Sequence, residues 1–181
     1  EKYLFMKILM FSGSIRAASL NLRLITLAHD IAVQLGHDAT LINLGDFDLP
    51  IYDGDDEDRD GLPEPVMRLK TMISETDALV ISTPEYNGFF PGLLKNTLDW
   101  CSRAGGGLDG RATYEGKKTV IMAASPGGGG GKRVLPRLAE QMEILRTTVV
   151  DQVSVGNAEE NIDNEDTTNR LEQAFKALAA V

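Results

Sequence analysis

Short, nearly unbroken apolar runs alternate along this chain with longer stretches in which apolar residues recur every three or four positions. The runs occupy residues 7–12, 40–44, 78–83, 119–124 and 149–155. Continuous apolarity over so few residues marks strands buried on both faces. Between them, Leu20, Leu24, Leu27, Ile31 and Leu35 keep a helical period that stops at Gly36. Val66, Leu69 and Ile73 predict a short second helix, and Leu94 and Leu98 a third running through Trp100. Leu135, Leu138, Met142 and Leu145 predict a fourth, and Leu171, Phe175 and Leu178 a closing one.

Strand and helix alternating in this way predict an α/β class: parallel strands, right-handed crossovers and helices on both faces of a doubly wound sheet. Five strands in a chain of 181 residues favour the order 2-1-3-4-5 over the six-stranded dinucleotide arrangement. No repeat and no Pro/Ser-rich linker divides the chain, so residues 1–181 are read as one domain, with 1–5 as an extension ahead of Met6. In the order 2-1-3-4-5 the winding direction reverses between strands 1 and 3, and ligands sit beyond the carboxyl ends of the strands at that point. The loops after strands 1, 3 and 4 are therefore where chemistry is expected.

Strand 1 is followed by Ser12-Gly13-Ser14-Ile15-Arg16-Ala17-Ala18-Ser19-Leu20-Asn21, which runs into a helix. A glycine for the turn, inward hydroxyls and N–H groups, and a helix N-terminus suit a terminal phosphate. Arg16 adds a guanidinium able to grip phosphate through two parallel hydrogen bonds. The loop is neither Gly-x-Gly-x-x-Gly nor a P-loop; a plain polar turn is the competing reading. Strand 3 is followed by Pro84-Glu85-Tyr86-Asn87-Gly88-Phe89-Phe90-Pro91-Gly92. Such a rigid loop, with exposed amides, a tyrosine and an asparagine, can edge a flat heteroaromatic ring; the alternative is a turn whose aromatics cap the core. Strand 4 is followed by Ser125-Pro126 and glycines 127–131, which either let a ligand approach the backbone or form a flexible connector.

Composition narrows the picture. A net charge of −9 argues against general nucleic-acid binding, which needs basic surface. No apolar run nears the roughly 20 residues of a membrane span, so no membrane insertion is expected. The opening residues are too short and wrongly flanked for a secretory signal. The single cysteine, Cys101, excludes an internal disulfide and makes the cytoplasm the expected location. Two histidines and that cysteine leave no His/Cys metal site. Asp56-x-Asp58-x-Asp60-Gly61 opens like an EF-hand loop, but Met67 stands where the bidentate Glu belongs, and Pro63 and Pro65 interrupt. A solvated loop is expected there. His29 and His37 read as surface residues, and Cys101 lacks a neighbouring basic cluster in sequence to make it a nucleophile. No Ser-His-Asp set and no paired carboxylates stand out, so no side chain is assigned as catalytic.

Taken together, Gly-Ser-Ile-Arg-x-x-Ser-x-Asn at 13–21, Thr-Pro-Glu-Tyr-Asn-Gly at 83–88 and Pro-Gly-x-Leu-Lys-Asn at 91–96 resemble the NAD(P)H-dependent FMN reductase family, the flavodoxin-like quinone, azo-dye and chromate reductases. The resemblance runs from Met6 into the final helix. It implies that Ser14, Arg16, Ser19 and Asn21 hold the FMN phosphate, with Leu20 also among the cofactor-binding residues. Pro84, Glu85, Tyr86, Asn87 and Gly88 would then lie along the isoalloxazine, with Ser125, Gly127 and Gly128 on its other side. It further implies NADPH or NADH as co-substrate, small oxidants as partners, and a homodimer or homotetramer. With one crevice and no second nucleotide motif, the two substrates are expected to visit it in turn, with ping-pong turnover. The competing function is a flavodoxin-type electron carrier or a flavin redox sensor, against which stand Arg16 in the phosphate loop and the low aromatic content of 6%.

Overall fold

A computed structural model describes residues 4–180, so residues 1–3 of the expected extension lie outside the described residues. Five parallel strands form one sheet in the order β2-β1-β3-β4-β5: β1 Lys7–Ser12, β2 Asp38–Ile42, β3 Ala78–Ser82, β4 Lys118–Ala124 and β5 Thr148–Val155. The sheet is flanked by α1 Leu20–Gln34, α2 Gly54–Asp60, α3 Glu64–Ser74, α4 Gly92–Cys101, α5 Val134–Ile144, α6 Ala158–Asn161 and α7 Glu165–Ala179.

Because successive strand residues point to opposite faces, each apolar run feeds two cores. Ile8 and Met10 of β1, Val80 of β3 and Met122 of β4 meet α1 and α7 on one face. Leu9, Phe11, Ile81 and Ile121 meet α3, α4 and α5 on the other. β1 pairs β3 from Ile8↔Ala78 to Ser12↔Ser82, which ends both strands level at the carboxyl edge.

Three expectations need correction. The second strand begins and ends two residues earlier than 40–44, because Asn43 accepts the Gly45 N–H and starts a single 3-10 turn, Leu44–Phe47, that buries Leu44 and Phe47 against α3. The acidic stretch is a helix, α2, not a loop. The Asp53 carboxylate caps it by accepting from the Asp55 N–H, and acidic residues fill its first turn, where the helix dipole favours them. Arg59 bridges Asp56 and Asp60. Glu57 accepts from the Tyr52 hydroxyl (2.8 Å) and from Arg103 Nε, latching α2 to the end of α4. His29 and His37 are half-buried rather than free on the surface, and burial lowers the His37 pKa.

Candidate functional site

The loop from β1 to α1 is held by its own hydroxyls. Ser14 N–H donates to Ser12 Oγ (3.1 Å), and Arg16 N–H to Ser14 Oγ (3.4 Å). The Ser19 hydroxyl caps α1 by accepting from Leu22 N–H (3.3 Å). A helix start leaves its first N–H groups without intrahelical acceptors, which here are those of Leu20 and Asn21. Ser14 and Ser19 are buried, while the Arg16 side chain is exposed and makes no ion pair or hydrogen bond among the described residues.

Asn21 is buried and its side chain reaches inward. Its Oδ1 accepts from Ala124 N–H (2.8 Å) and from the Ser82 hydroxyl (3.0 Å), and its Nδ2 donates to the Ala124 carbonyl (3.0 Å). The side chain expected at a phosphate is thus a strut joining the carboxyl ends of β3 and β4 to α1. Gly13 packs the first loop on the second: its N–H donates to Ser82 O (2.8 Å), and a Cβ there would stand 3.2 Å from Leu94 Cδ2.

The second loop turns on Asn87 (φ 52°) and Gly88 (φ 79°), with Tyr86 N–H to Phe89 O at 2.8 Å and Phe89 N–H to Tyr86 O at 3.1 Å. Two central residues with positive φ make a tight two-residue turn, for which Asn-Gly is the favoured pair. Glu85 Oε2 accepts from Val134 N–H (3.2 Å) at the start of α5, and Arg137 Nη1 donates to Gly88 O. The loop is therefore tied twice to α5.

The third loop is folded, not a loose connector. Ser125 Oγ donates to Gly127 O (2.8 Å) and accepts from Gly130 N–H (2.8 Å), and the Ser154 hydroxyl donates to Gly130 O (2.7 Å). A Cβ on Gly130 would stand 2.3 Å from Ser154 Oγ, and one on Gly131 2.2 Å from Ala123 Cβ. Around Gly127, Gly128 and Gly129 a Cβ would meet nothing within 4 Å.

The three loops enclose a cleft of about 290 Å³. Ser14, Arg16, Ser19, Leu20, Asn21, Pro84, Glu85, Tyr86 and Ser125 all line it. Asn87 and Gly88 sit instead at the tip of the second loop, and Gly127 and Gly128 are exposed beyond the lining. Ala18, Ala124, Pro126 and Glu159 also line the cleft and were not anticipated. Glu159 comes from α6, and no motif in the sequence marks it. Glycines 130 and 131 belonged to a visible run, but only the packing tells them from 127–129.

Cys101 lies outside the cleft and is buried. Folding brings a distant cation to it: Lys70 Nζ donates to the carbonyls of Cys101 (3.4 Å) and Arg103. Burial nonetheless pushes the thiol up to about 12, so it stays protonated at neutral pH.

A 2-hydroxy-1,4-benzoquinone reductase from a Burkholderia species is 32% identical over 97% of this chain and 95% of that protein. An NAD(P)H-dependent FMN reductase of Pseudomonas aeruginosa is 34% identical over 77% of this chain and 70% of its own length. Among solved structures, a flavoenzyme NAD(P)H:(acceptor) oxidoreductase from Paracoccus denitrificans superposes with a TM-score of 0.75 at 27% identity, covering 96% of this chain and 95% of that one. The family model for NADPH-dependent FMN reductase matches residues 6–160, a span that includes all three loops, and the chain belongs to that family.

Proposed function

We propose that this chain passes electrons from NADPH or NADH through bound FMN to small oxidants such as quinones, azo compounds, free flavins and metal oxyanions, with ping-pong kinetics. One observation carries the reading. Arg16, which makes no ion pair among the described residues, shares a cleft with the Ser14 and Ser19 hydroxyls and the open N–H groups of Leu20 and Asn21, facing Pro84 and Tyr86. These donors fit a phosphate monoester, and a wall of proline, tyrosine and peptide edge fits a flat ring.

FMN, when bound, supplies the two-electron chemistry, and the protein orients it and shapes access. Arg16, Ser14 and Ser19 would hold the phosphate with the Leu20 and Asn21 N–H groups. The Asn21 side chain would keep the helix start aimed at it. Glu85 and Gly88, tied to α5, would fix how the ring is presented, and Asn87 would hold the turn. Ser125, Gly127 and Gly128 would leave the opposite face open to co-substrates. Quinones lead the oxidants because the Burkholderia relative is named for one.

The same reading includes a homodimer or homotetramer and a cytoplasmic location. Ile15, Ile51, Tyr86 and Phe89 are large, exposed apolar side chains, three of them on the first two loops, and a second copy would cover them. No described helix is long and apolar enough to cross a membrane.

The test is direct. FMN-loaded protein should show a bound-flavin absorbance band that NADPH or NADH bleaches without oxygen. Double-reciprocal plots with quinone as second substrate should give parallel lines, as expected when the enzyme is modified between half-reactions. Protein that takes up no FMN at micromolar concentrations overturns the reading. A flavin that neither nucleotide bleaches makes the chain a carrier. Light scattering showing an active monomer at tens of micromolar removes the oligomer.

A further inference from the structure

We propose that Lys132 and Arg133 are the docking point for the phosphate groups of the reduced nicotinamide nucleotide, an assignment that rests on the FMN-reductase reading of the cleft. Arg23, Arg59, Lys95, Arg103, Arg146 and Arg170 each pair with a carboxylate. Arg68, Lys70, Arg111, Lys117, Lys118 and Arg137 each donate to backbone carbonyls. Among the described residues, Lys7, Arg16, Lys132, Arg133 and Lys176 do neither. Lys7 opens β1 and Lys176 is in the last turn of α7, at the opposite end of the sheet from the cleft.

That leaves Arg16, which lines the cleft, and Lys132 with Arg133, which do not line it but lead into α5 next to the cleft-lining Glu85. Their place is set by hydrogen bonds. The next residue, Val134, donates its N–H to the cleft-lining Glu85, and Arg137, one turn further on, holds Gly88. Both basic side chains are exposed. No acidic residue occurs between Pro126 and Ala139, although the chain carries a net charge of −9. Glu85, the nearest carboxylate placed by a hydrogen bond, is engaged by Val134 N–H and pairs with neither cation, and neither forms an ion pair among the described residues. Two such cations, beside the loop assigned to the ring and away from the FMN phosphate, match a second anionic ligand that shares the ring but not the phosphate loop. The reduced nicotinamide nucleotide is such a ligand. NADH offers a pyrophosphate, and NADPH a 2′-phosphate as well.

The experiment compares FMN-loaded wild type with Lys132→Ala/Arg133→Ala. It uses calorimetric binding of the non-reducing NAD⁺ and NADP⁺, then steady-state kcat/KM with NADH and NADPH at low and high salt. Wild-type binding should weaken as salt screens the two cations, and the double variant should lose about tenfold or more in affinity and in kcat/KM, as expected for charge-assisted contacts to phosphate. FMN content should stay unchanged. Loss with NADPH and NADP⁺ alone assigns the pair to the 2′-phosphate, and equal loss with all four nucleotides to the pyrophosphate; both support the proposal. Unchanged nucleotide binding, or a loss of FMN in its place, overturns it. Wild-type protein that takes up no FMN defeats the reading of the cleft instead, and NADP⁺ binding to the two proteins still decides the role of the pair.

Discussion

The Arg137 guanidinium, one turn into α5, donates to the carbonyl of Gly88 at the left-handed corner of the loop after β3. A Cβ on Gly88 would sit 3.2 Å from the same Nη1, so the arginine closes directly over the turn. With Glu85 on Val134 N–H, the loop is anchored at both ends to a helix that begins 46 residues after Gly88. Arg137→Ala should free the turn. Amide exchange at Gly88 and Phe89 should rise about tenfold, and turnover per bound FMN should fall while FMN stays on its phosphate loop. Arg137→Lys, which keeps a donor, should recover most of the loss. Exchange that does not change would mean the contact holds nothing.

Arg16→Ala should weaken FMN about tenfold to a hundredfold, the equivalent of roughly 1.5–3 kcal/mol for a charge-assisted hydrogen bond. Riboflavin, which lacks the phosphate, should bind as before. Fluorescence titration with both flavins checks this, and equal losses would move Arg16 off the phosphate.

Asn21→Ala removes the acceptor of Ala124 N–H and of the Ser82 hydroxyl, both buried. Leaving such groups unpaired costs about 1–3 kcal/mol. Urea unfolding of the flavin-free protein should show a loss of that order. The ratio of FMN to riboflavin affinity should change little, because the side chain holds strand ends rather than phosphate.

The glycine run should divide in two. Gly131→Ala places a Cβ 2.2 Å from Ala123 Cβ at a φ of 73°, so it should destabilise by roughly 1–3 kcal/mol or more. Gly128→Ala meets nothing and should stay within about 0.5 kcal/mol on unfolding. Any effect of Gly128→Ala should appear in flavin or substrate binding.

Cys101 should resist thiol reagents in the folded protein at neutral pH, because burial raises its pKa from 9.0 to about 12. The folded state disfavours the thiolate, so this contribution to stability is complete below about pH 9. It is lost progressively as pH rises towards 12. Cys101→Ala should flatten the alkaline limb of a stability-pH curve.

The strand order and the position of the cleft were legible in the sequence, because runs such as 78–83 and 119–124 are too short for helices and nearly unbroken, as strands buried on both faces are. Alternation with helices then dictates parallel winding and its reversal between β1 and β3. The loop after β3 was legible as rigid from its prolines and glycines, but that its corner falls at Asn87-Gly88, both at positive φ, came from the structure. Other features depended on distant neighbours. Asn21 reads as a polar residue in a phosphate loop until folding sets Ala124, 103 residues away, against its amide. The acidic stretch 53–60 reads as a solvated loop until Tyr52 and Arg103 supply partners for Glu57. Glu85, Val134, Gly88 and Arg137 come together only when the loop after β3 meets α5, and nothing local selects Gly131 over Gly128. Periodicity reports which face a residue buries, and turn residues report the backbone angles the chain can take. Which polar groups satisfy one another across the sheet edge is settled only when the strands lie side by side, because buried donors and acceptors must then pair with whatever the fold places beside them.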